Sequence, residues 1–406
     1  MAAKRLLLFA STTGYQIRVF ADAARRLGFD LSLATDRCHI LEDPWGDRAI
    51  PVRFDRTEES LEALRGRQFD GVAAVGDRPA ILAAEAARQL GVEFHAPAAA
   101  RACADKYLAR GLYRLAGMRT PQFFRAAFDE DAAAVARRAP YPCVLKPVGL
   151  SASRGVIRAN DEGEFVAAAA RIRKIGESHL QVESYIPGRE FAVEGLVTRG
   201  IFEPLAIFDK PDPLEGPYFE ETIYVTPTRQ PEVVQRALLE TTGQAIRALG
   251  LWHGPVHAEL RYNDDGAWML ETHARPIGGL CANALKFEGG VPLEEVILRH
   301  AVGEDVGGVR LQDPASGVLM IPIPKGGIYE SVDGVDRASA IPGVAGVIIT
   351  AKPGQRLIPL PEGSSYLGFI FGRGETPAEV DSALRFAHAE LRFQIATALE
   401  TFSPSS

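Results

Sequence analysis

Two short apolar runs, RLLLFA at 5–10 and DLSLAT at 30–35, stand on either side of one amphipathic stretch, IRVFADAARRLG. This alternation limits the fold more than any other feature of the chain. A third run, FDGVAAVGD at 69–77, is followed by the alanine-rich PAILAAEAARQLG. Apolar runs of this kind are strands buried on both faces, and a helix between successive strands returns the chain parallel to its start. The first hundred residues are therefore expected to form a parallel, Rossmann-like domain. No G-x-G-x-x-G follows the first strand. GRGETP at 372 lacks the third glycine and lies far downstream, so a dinucleotide role is not supported.

At 406 residues the chain is too long for one simple core, and two to four domains are expected. A net charge of -7 argues against nucleic acid or an acidic membrane as partner, because both want a basic surface. The cysteines (Cys38, Cys103, Cys143, Cys281) are scattered, without paired spacing for zinc or redox work, which fits a reducing cytoplasm. The opening MAAKRLLLFA is too short in its apolar part for a signal peptide, and nothing approaches the length of a membrane span.

Beyond residue 98 the pattern changes. ACADKYLARGLYRLAGM reads as one long helix leading through RTPQFF into a short helix and the strand PCVLKPV. GVIRA, EGEFVAAAARIRKIG and HLQVESYI then read as strand, helix and strand of a small α+β unit. REFAVEGLVTRG and IFEPLAIFDK begin a larger sheet, followed by the helix EVVQRALLETTGQAIRALGL and the paired strands GPVHAELRY and AWMLETHAR. A helix near 292–302 precedes a strand-rich final hundred residues, which close on AEVDSALRFAHAELRFQIATAL, read as one amphipathic helix, and a frayed SPSS.

Three stretches carry candidate chemistry. MLETHARPIGG at 269–279 puts Glu271, His273 and Arg275 at alternate positions, so the three share one face of a strand. RYNDDGAW reads as the hairpin turn leading in, and GPVHAEL places Glu259 across from Glu271 with His257 two residues before it. Two carboxylates facing one way repel unless a cation lies between them. Magnesium working with nucleotide phosphates answers that need; zinc on Glu259, Glu271, His257 and His273 is the rival, and an exposed face with a salt bridge the plain alternative. In VLKPVGLSASRGV, Lys146 ends a strand and Gly149, Ser151, Ser153 and Gly155 form a loop small enough to let backbone N–H groups approach a polyanion. It is either a phosphate cradle or a flexible turn; it is not a Walker A loop. In QVESYIPGREF, Glu183 and Tyr185 sit at a strand end and Glu190 follows the turn. Such an end is able to pair with a purine edge and a ribose, or is simply a turn with surface acids.

Taken in order, ADKYLARGLYRLAGMRTP, VLKPVGLSASRGV, VESYIPGREFAVEG, HAELR and LETHARPIGG, from about 104 to 280, resemble the ATP-grasp superfamily. The resemblance is to its carboxylate–amine ligase branch, which includes bacterial L-amino-acid ligases. It implies an α/β and α+β multidomain fold: a Rossmann-like domain at 1–103, a small ATP-grasp subdomain at 104–182, a large subdomain with the nucleotide and metal site at 183–300, and a strand-rich C-terminal lobe at 301–406, the two α+β lobes clamping ATP. It further implies that Lys106 and Lys146 contact the nucleotide, that the loop Ser151, Ser153, Gly155 closes over the β- and γ-phosphates, and that Glu183 with the backbone near Tyr185 and Ile186 holds adenine. Glu190 takes the ribose, Glu259 and Glu271 bind Mg2+, and Arg275 steadies the transferred phosphoryl group. The family usually has asparagine at His273; imidazole suits Mn2+ better than Mg2+, so His273 either ligates a softer ion or hydrogen-bonds a phosphate or a metal-bound water. GPYFEETIYVTP sits where amino-acid ligases line the acyl site, making Glu221 a candidate for a substrate amine, with Tyr224 where relatives carry histidine.

The expected activity is an ATP-dependent, ADP-forming carboxylate–amine ligase working through an acyl phosphate, joining two amino acids into a dipeptide. The partners are then small-molecule carboxylate and amine substrates, with room for a homodimer and with His257 a candidate base. A carboxylase of the biotin-dependent type, a non-catalytic nucleotide-binding module and a zinc hydrolase are the alternatives.

Overall fold

The computed structural model describes residues 3–11, 16–36, 48–176 and 178–397. Cys38 and the terminal SPSS lie outside the described residues. The other three cysteines are buried free thiols. The chain forms two compact units of interleaved segments. One holds Met1–Thr120, Gly188–Asp209 and Pro227–Asp313; the other holds Pro121–Pro187, Lys210–Thr226 and Pro314–Ser406.

The first unit begins with the expected parallel sheet, in the order Ala49–Pro51, Asp30–Thr35, Arg5–Ala10, Gly71–Val75. Leu6 to Ala10 are fully buried, as a central strand covered on both faces must be. The helix Asp77–Leu90 follows the Gly71–Val75 strand through Gly76, whose φ of +96° suits glycine. A second sheet in the same unit is antiparallel, in the order Gly266–His273, Gly254–Asn263, Arg189–Thr198, Ile201–Lys210. The helix Glu232–Leu249 packs on it through Leu238, Ala245 and Ile246, and one continuous core runs from Leu7 and Phe9 to Val256, Leu260 and Met269. Replacing one such leucine by alanine removes about 2–5 kcal/mol.

The second unit contains a four-stranded sheet, Phe123–Ala127, His179–Ser184, Cys143–Pro147, Ile157–Ala159, with the helix Glu162–Arg173 buried on it through Phe165, Ala168 and Ile172. The strands Ile223–Thr226, Ala315–Ile321, Gly368–Gly374 and Val344–Ile349 pair antiparallel, and the helix Pro377–Glu390 covers them.

Three readings of the sequence are corrected. The long helix at 102–118 is two helices, Pro97–Ala104 and Lys106–Leu115, because Asp105 leaves helical geometry (φ -114°, ψ 104°) and caps the second by accepting the Leu108 N–H at 2.9 Å. RTPQFF runs into a strand, Phe123–Ala127, before the short helix Ala132–Ala136. The closing helix stops at Glu390; Arg392–Ala396 is a strand on Gly327–Asp333, whose pairing overrides the helical periodicity read through it.

Candidate active site

The hairpin of the first unit sets the acids. Its register pairs Glu259 with Glu271 and His257 with His273, and a bulge follows between Glu259 and Leu260. Bulges re-aim side chains next to functional sites, and the carbonyls freed here, Met269 O and Leu270 O, accept from Arg110 at 2.6 and 3.2 Å. The two glutamates are about one-fifth exposed, at 21% for Glu259 and 20% for Glu271. Each already faces a cationic group of the protein. Lys106 Nζ lies 3.3 Å from Glu271, and His257 Nε2 lies 3.4 Å from Glu259. Asp105 places Lys106 at the first position of its helix, so the cap missed in the sequence is what aims this lysine.

His257 is buried between two acids, with Nδ1 3.0 Å from Glu194 Oε2. Burial pushes its imidazole down, but the hydrogen bonds and charges of Glu194 and Glu259 outweigh burial and raise it to about 9. At neutral pH this favours the imidazolium form. Glu190, expected at the ribose, is buried with one oxygen 3.0 Å from Arg261 Nε.

His273 and Arg275 both reach Asp77. Its Oδ1 lies 2.9 Å from His273 Nδ1 and 3.0 Å from Arg275 Nε. Burial pushes the Asp77 carboxyl up, yet the charges of Arg275 and His273 and their hydrogen bonds hold it well below the usual carboxylate range. Sequence reading missed Asp77. The available signal was an acid directly after a glycine at the carboxyl end of a parallel strand, where open α/β sheets place their sites.

In the second unit Lys146 and Glu183 are 7% and 2% exposed and meet at 2.5 Å, while Glu183 Oε2 also accepts from Gln181 Nε2 at 2.9 Å. The Glu183 carboxylate thus faces Lys146. Tyr185 donates its N–H to Pro142 O at 2.8 Å and stacks under the Arg158 guanidinium, 4.2 Å from ring centroid to carbon; Ile186 is buried. Ser151 and Ser153 lie in the loop after Lys146, and Gly155 N–H donates to Pro361 O at 2.8 Å. Glu221 is ion-paired with the buried Lys210, whose Nζ stands 5.0 Å from the Tyr224 ring centroid. Lys210 was not singled out from the sequence, because IFEPLAIFDK reads as an ordinary strand end.

The donor set favours a hard cation. Glu259 and Glu271 offer carboxylate oxygens, as Mg2+ requires. Among the described residues His257, His273, Glu259 and Glu271 do not converge on one point as a zinc set must. No helix among those residues is long and apolar enough to cross a membrane.

Residues 139–284 match the ATP-grasp domain family, and residues 319–396 match the L-amino acid ligase C-terminal domain 2 family. An uncharacterized protein of Sinorhizobium fredii is 25% identical over 97% of this chain and 83% of its own length. The alanine–anticapsin ligase of Bacillus subtilis is 26% identical over 53% of this chain, spanning only half of that enzyme. The crystal structure of an L-amino acid ligase from Bacillus licheniformis superimposes with a TM-score of 0.82 at 25% identity, covering 98% of this chain and all of that one. The match over 319–396 favours a ligase over a carboxylase. The chain is an ATP-grasp enzyme of the ATP-dependent C–N ligase class, resembling bacterial L-amino-acid ligases.

Proposed function

We propose that the protein joins the carboxylate of one amino acid to the amine of another, consuming ATP. A substrate carboxylate oxygen attacks the γ-phosphorus, the bond to the β-phosphate oxygen breaks and ADP leaves. The amine nitrogen then attacks the acyl carbon, inorganic phosphate departs, and the nitrogen gives up a proton to form the amide. The alignments support the class of reaction; the choice of two amino acids as substrates is our reading.

In the first unit, Glu259 and Glu271 would hold Mg2+, with Mn2+ favoured if His273 joined them. The cation supplies charge neutralisation of phosphate oxygens when bound. Lys106, 3.3 Å from Glu271, would contact the nucleotide beside it. Arg275 carries the charge of the transferring phosphoryl group, and Glu190, held by Arg261, takes the ribose. In the second unit Lys146 binds phosphate, fixed in place by Glu183, while Ser151, Ser153 and Gly155 cover the β- and γ-phosphates. Tyr185 and Ile186 meet adenine, and Glu221, set by Lys210, takes the substrate amine. Because positions are preset, little reorganisation is left for the moment of transfer. The upward shift of His257 counts against it as the base for the amine.

The segments 1–103, 104–182, 183–300 and 301–406 remain our division of the chain, with the nucleotide roles shared between the middle two. A cytoplasmic setting, small-molecule substrates and no nucleic-acid or membrane partner belong to the same reading, which a homodimer also satisfies.

One observation carries the proposal: two accessible glutamates directly opposed on neighbouring strands, each facing a protein cation. Phosphate release is to be measured with ATP, Mg2+ and a panel of amino-acid pairs, with products identified by mass. Turnover is expected only with a matching pair, and Glu271→Gln is expected to abolish it. Steady ATP hydrolysis indifferent to added amino acid, or a fully active Glu271→Gln variant, would sink the reading.

A further inference from the structure

We propose that Asp77 is a positioning residue for phosphoryl transfer, its single oxygen Oδ1 fixing both the tautomer of His273 and the orientation of Arg275. The catalytic consequence rests on the ligase reading above; the geometry does not.

An ionised carboxylate only accepts hydrogen bonds. With Oδ1 2.9 Å from His273 Nδ1, that nitrogen must carry the hydrogen, and Nε2 is left turned toward Glu271, 3.6 Å from its Oε2. The same oxygen takes the Arg275 Nε–H at 3.0 Å, and Arg275 Nη1 donates to Pro276 O at 3.0 Å. Nη2 has no partner among the described residues. One edge of the guanidinium is thus pinned and the other presented, while the acid that pins it also sets the neighbouring imidazole. A carboxylate behind a histidine fixes its ring and strengthens its free nitrogen as a ligand.

Asp77 is built for this position. It is the first residue of the helix Asp77–Leu90, where the helix dipole favours a negative charge. It comes from the N-terminal sheet, 196 residues from His273, so it ties the motif-bearing strand to a domain that holds none of the recognised motifs. A plain strut would need only the ion pair with Arg275. The shared oxygen and the imidazole contact go beyond that.

The test uses the full chain labelled with 15N-histidine at pH 9, the His273 signals being assigned by their loss in His273→Gln. Wild type is expected to show a hydrogen on His273 Nδ1. In Asp77→Asn, turnover number for ATP-dependent phosphate release is expected to fall about 10- to 100-fold, with the KM for ATP within about threefold and the Nδ1–H signal lost. Asp77→Glu should recover part of both, since it restores the charge and an acceptor. A His273 ring with no hydrogen on Nδ1 in wild type overturns the proposal. So does an Asp77→Asn variant that loses thermal stability but keeps its turnover number and tautomer, the pattern of a strut. Should Asp77→Asn not fold, wild type and Asp77→Glu still decide. Should no amino acid support turnover in wild type, the ligase reading fails, and the tautomer alone decides the role of Asp77.

Discussion

A buried lysine needs a buried acid, and Lys146 has one in Glu183. The two sit diagonally across neighbouring strands, Lys146 opposite Gln181 and Val144 opposite Glu183, so both side chains share a face. Each residue could be picked from the sequence by its place at a strand end. Their mutual contact could not, because strand register is set by pairing 37 positions apart and leaves no local trace. On the proposed reading, the contact gives Glu183 the further task of fixing Lys146. Glu183→Gln keeps the shape but leaves the Lys146 charge uncompensated, and breaking one side of a buried pair costs on the order of 3 kcal/mol. Urea unfolding is expected to show that loss, and the KM for ATP is expected to rise while the preference for ATP over GTP stays as in wild type. A stable variant that has lost purine preference would return Glu183 to the base.

At the scale of elements, the loop after Lys146 explains why small residues alone do not make a phosphate cradle. Ala152 and Ser153 have φ values of 55° and 54°, and Gly155 has 72°. Left-handed backbone costs a non-glycine residue about 1–2 kcal/mol, so the surroundings must hold it. A Cβ on Gly155 would come within 2.7 Å of Pro147 Cγ, which explains the glycine there. What holds the loop is a turn of the C-terminal lobe: Gly155 N–H donates to Pro361 O, Arg154 Nε to Glu362 O at 2.9 Å, and Arg171 grips the Glu362 carboxylate, with Nη2 2.9 Å from Oε2. The loop's composition was legible in GLSASRG; its strap was not, since it comes from more than 200 residues downstream in a stretch of prolines and glycine with no motif. Glu362→Ala frees the Arg171 end of the strap without touching the loop. The loop must then be ordered by the nucleotide itself, so the KM for ATP is expected to rise about three- to tenfold with the turnover number within about twofold. An unchanged KM in steady-state kinetics would show that the loop keeps its shape without the strap.

The whole molecule shows where local reading ends. Strand and helix periodicities gave most elements in order, because apolar spacing is a local property. The interleaving of three segments into each unit was invisible, as were the buried polar clusters that interleaving creates. One such cluster lies in the first unit. His253 and His300 stack with ring centroids 4.0 Å apart, His300 Nε2 meets Thr198 Oγ1 at 3.0 Å, and His95 Nε2 meets Pro255 O at 3.0 Å. Burial is the main cause that pushes His95 and His300 down to about 4, from an ordinary 6.5. Such groups contribute stability that is present above pH 6.5 and lost as pH falls toward 4, because only the unfolded chain takes up the protons. His257 has the opposite sign: raised to about 9, it contributes stability that is full below pH 6.5 and lost as pH rises through 9, on the order of 3 kcal/mol in total. Burial raises Glu294 to about 7, so it stabilises most below pH 4.5 and offsets part of the acid loss. Trp252 and Trp268 belong to this unit and the second unit's sequence has no tryptophan, so indole fluorescence follows the right part of the chain. In urea with EDTA present, stability is expected to peak near pH 6.5 and to fall on both sides. His257→Gln should flatten the alkaline limb alone, and His300→Gln should soften the acid limb alone. Stability that climbs steadily to pH 9 in wild type would mean that His257 is not held as a cation between Glu194 and Glu259.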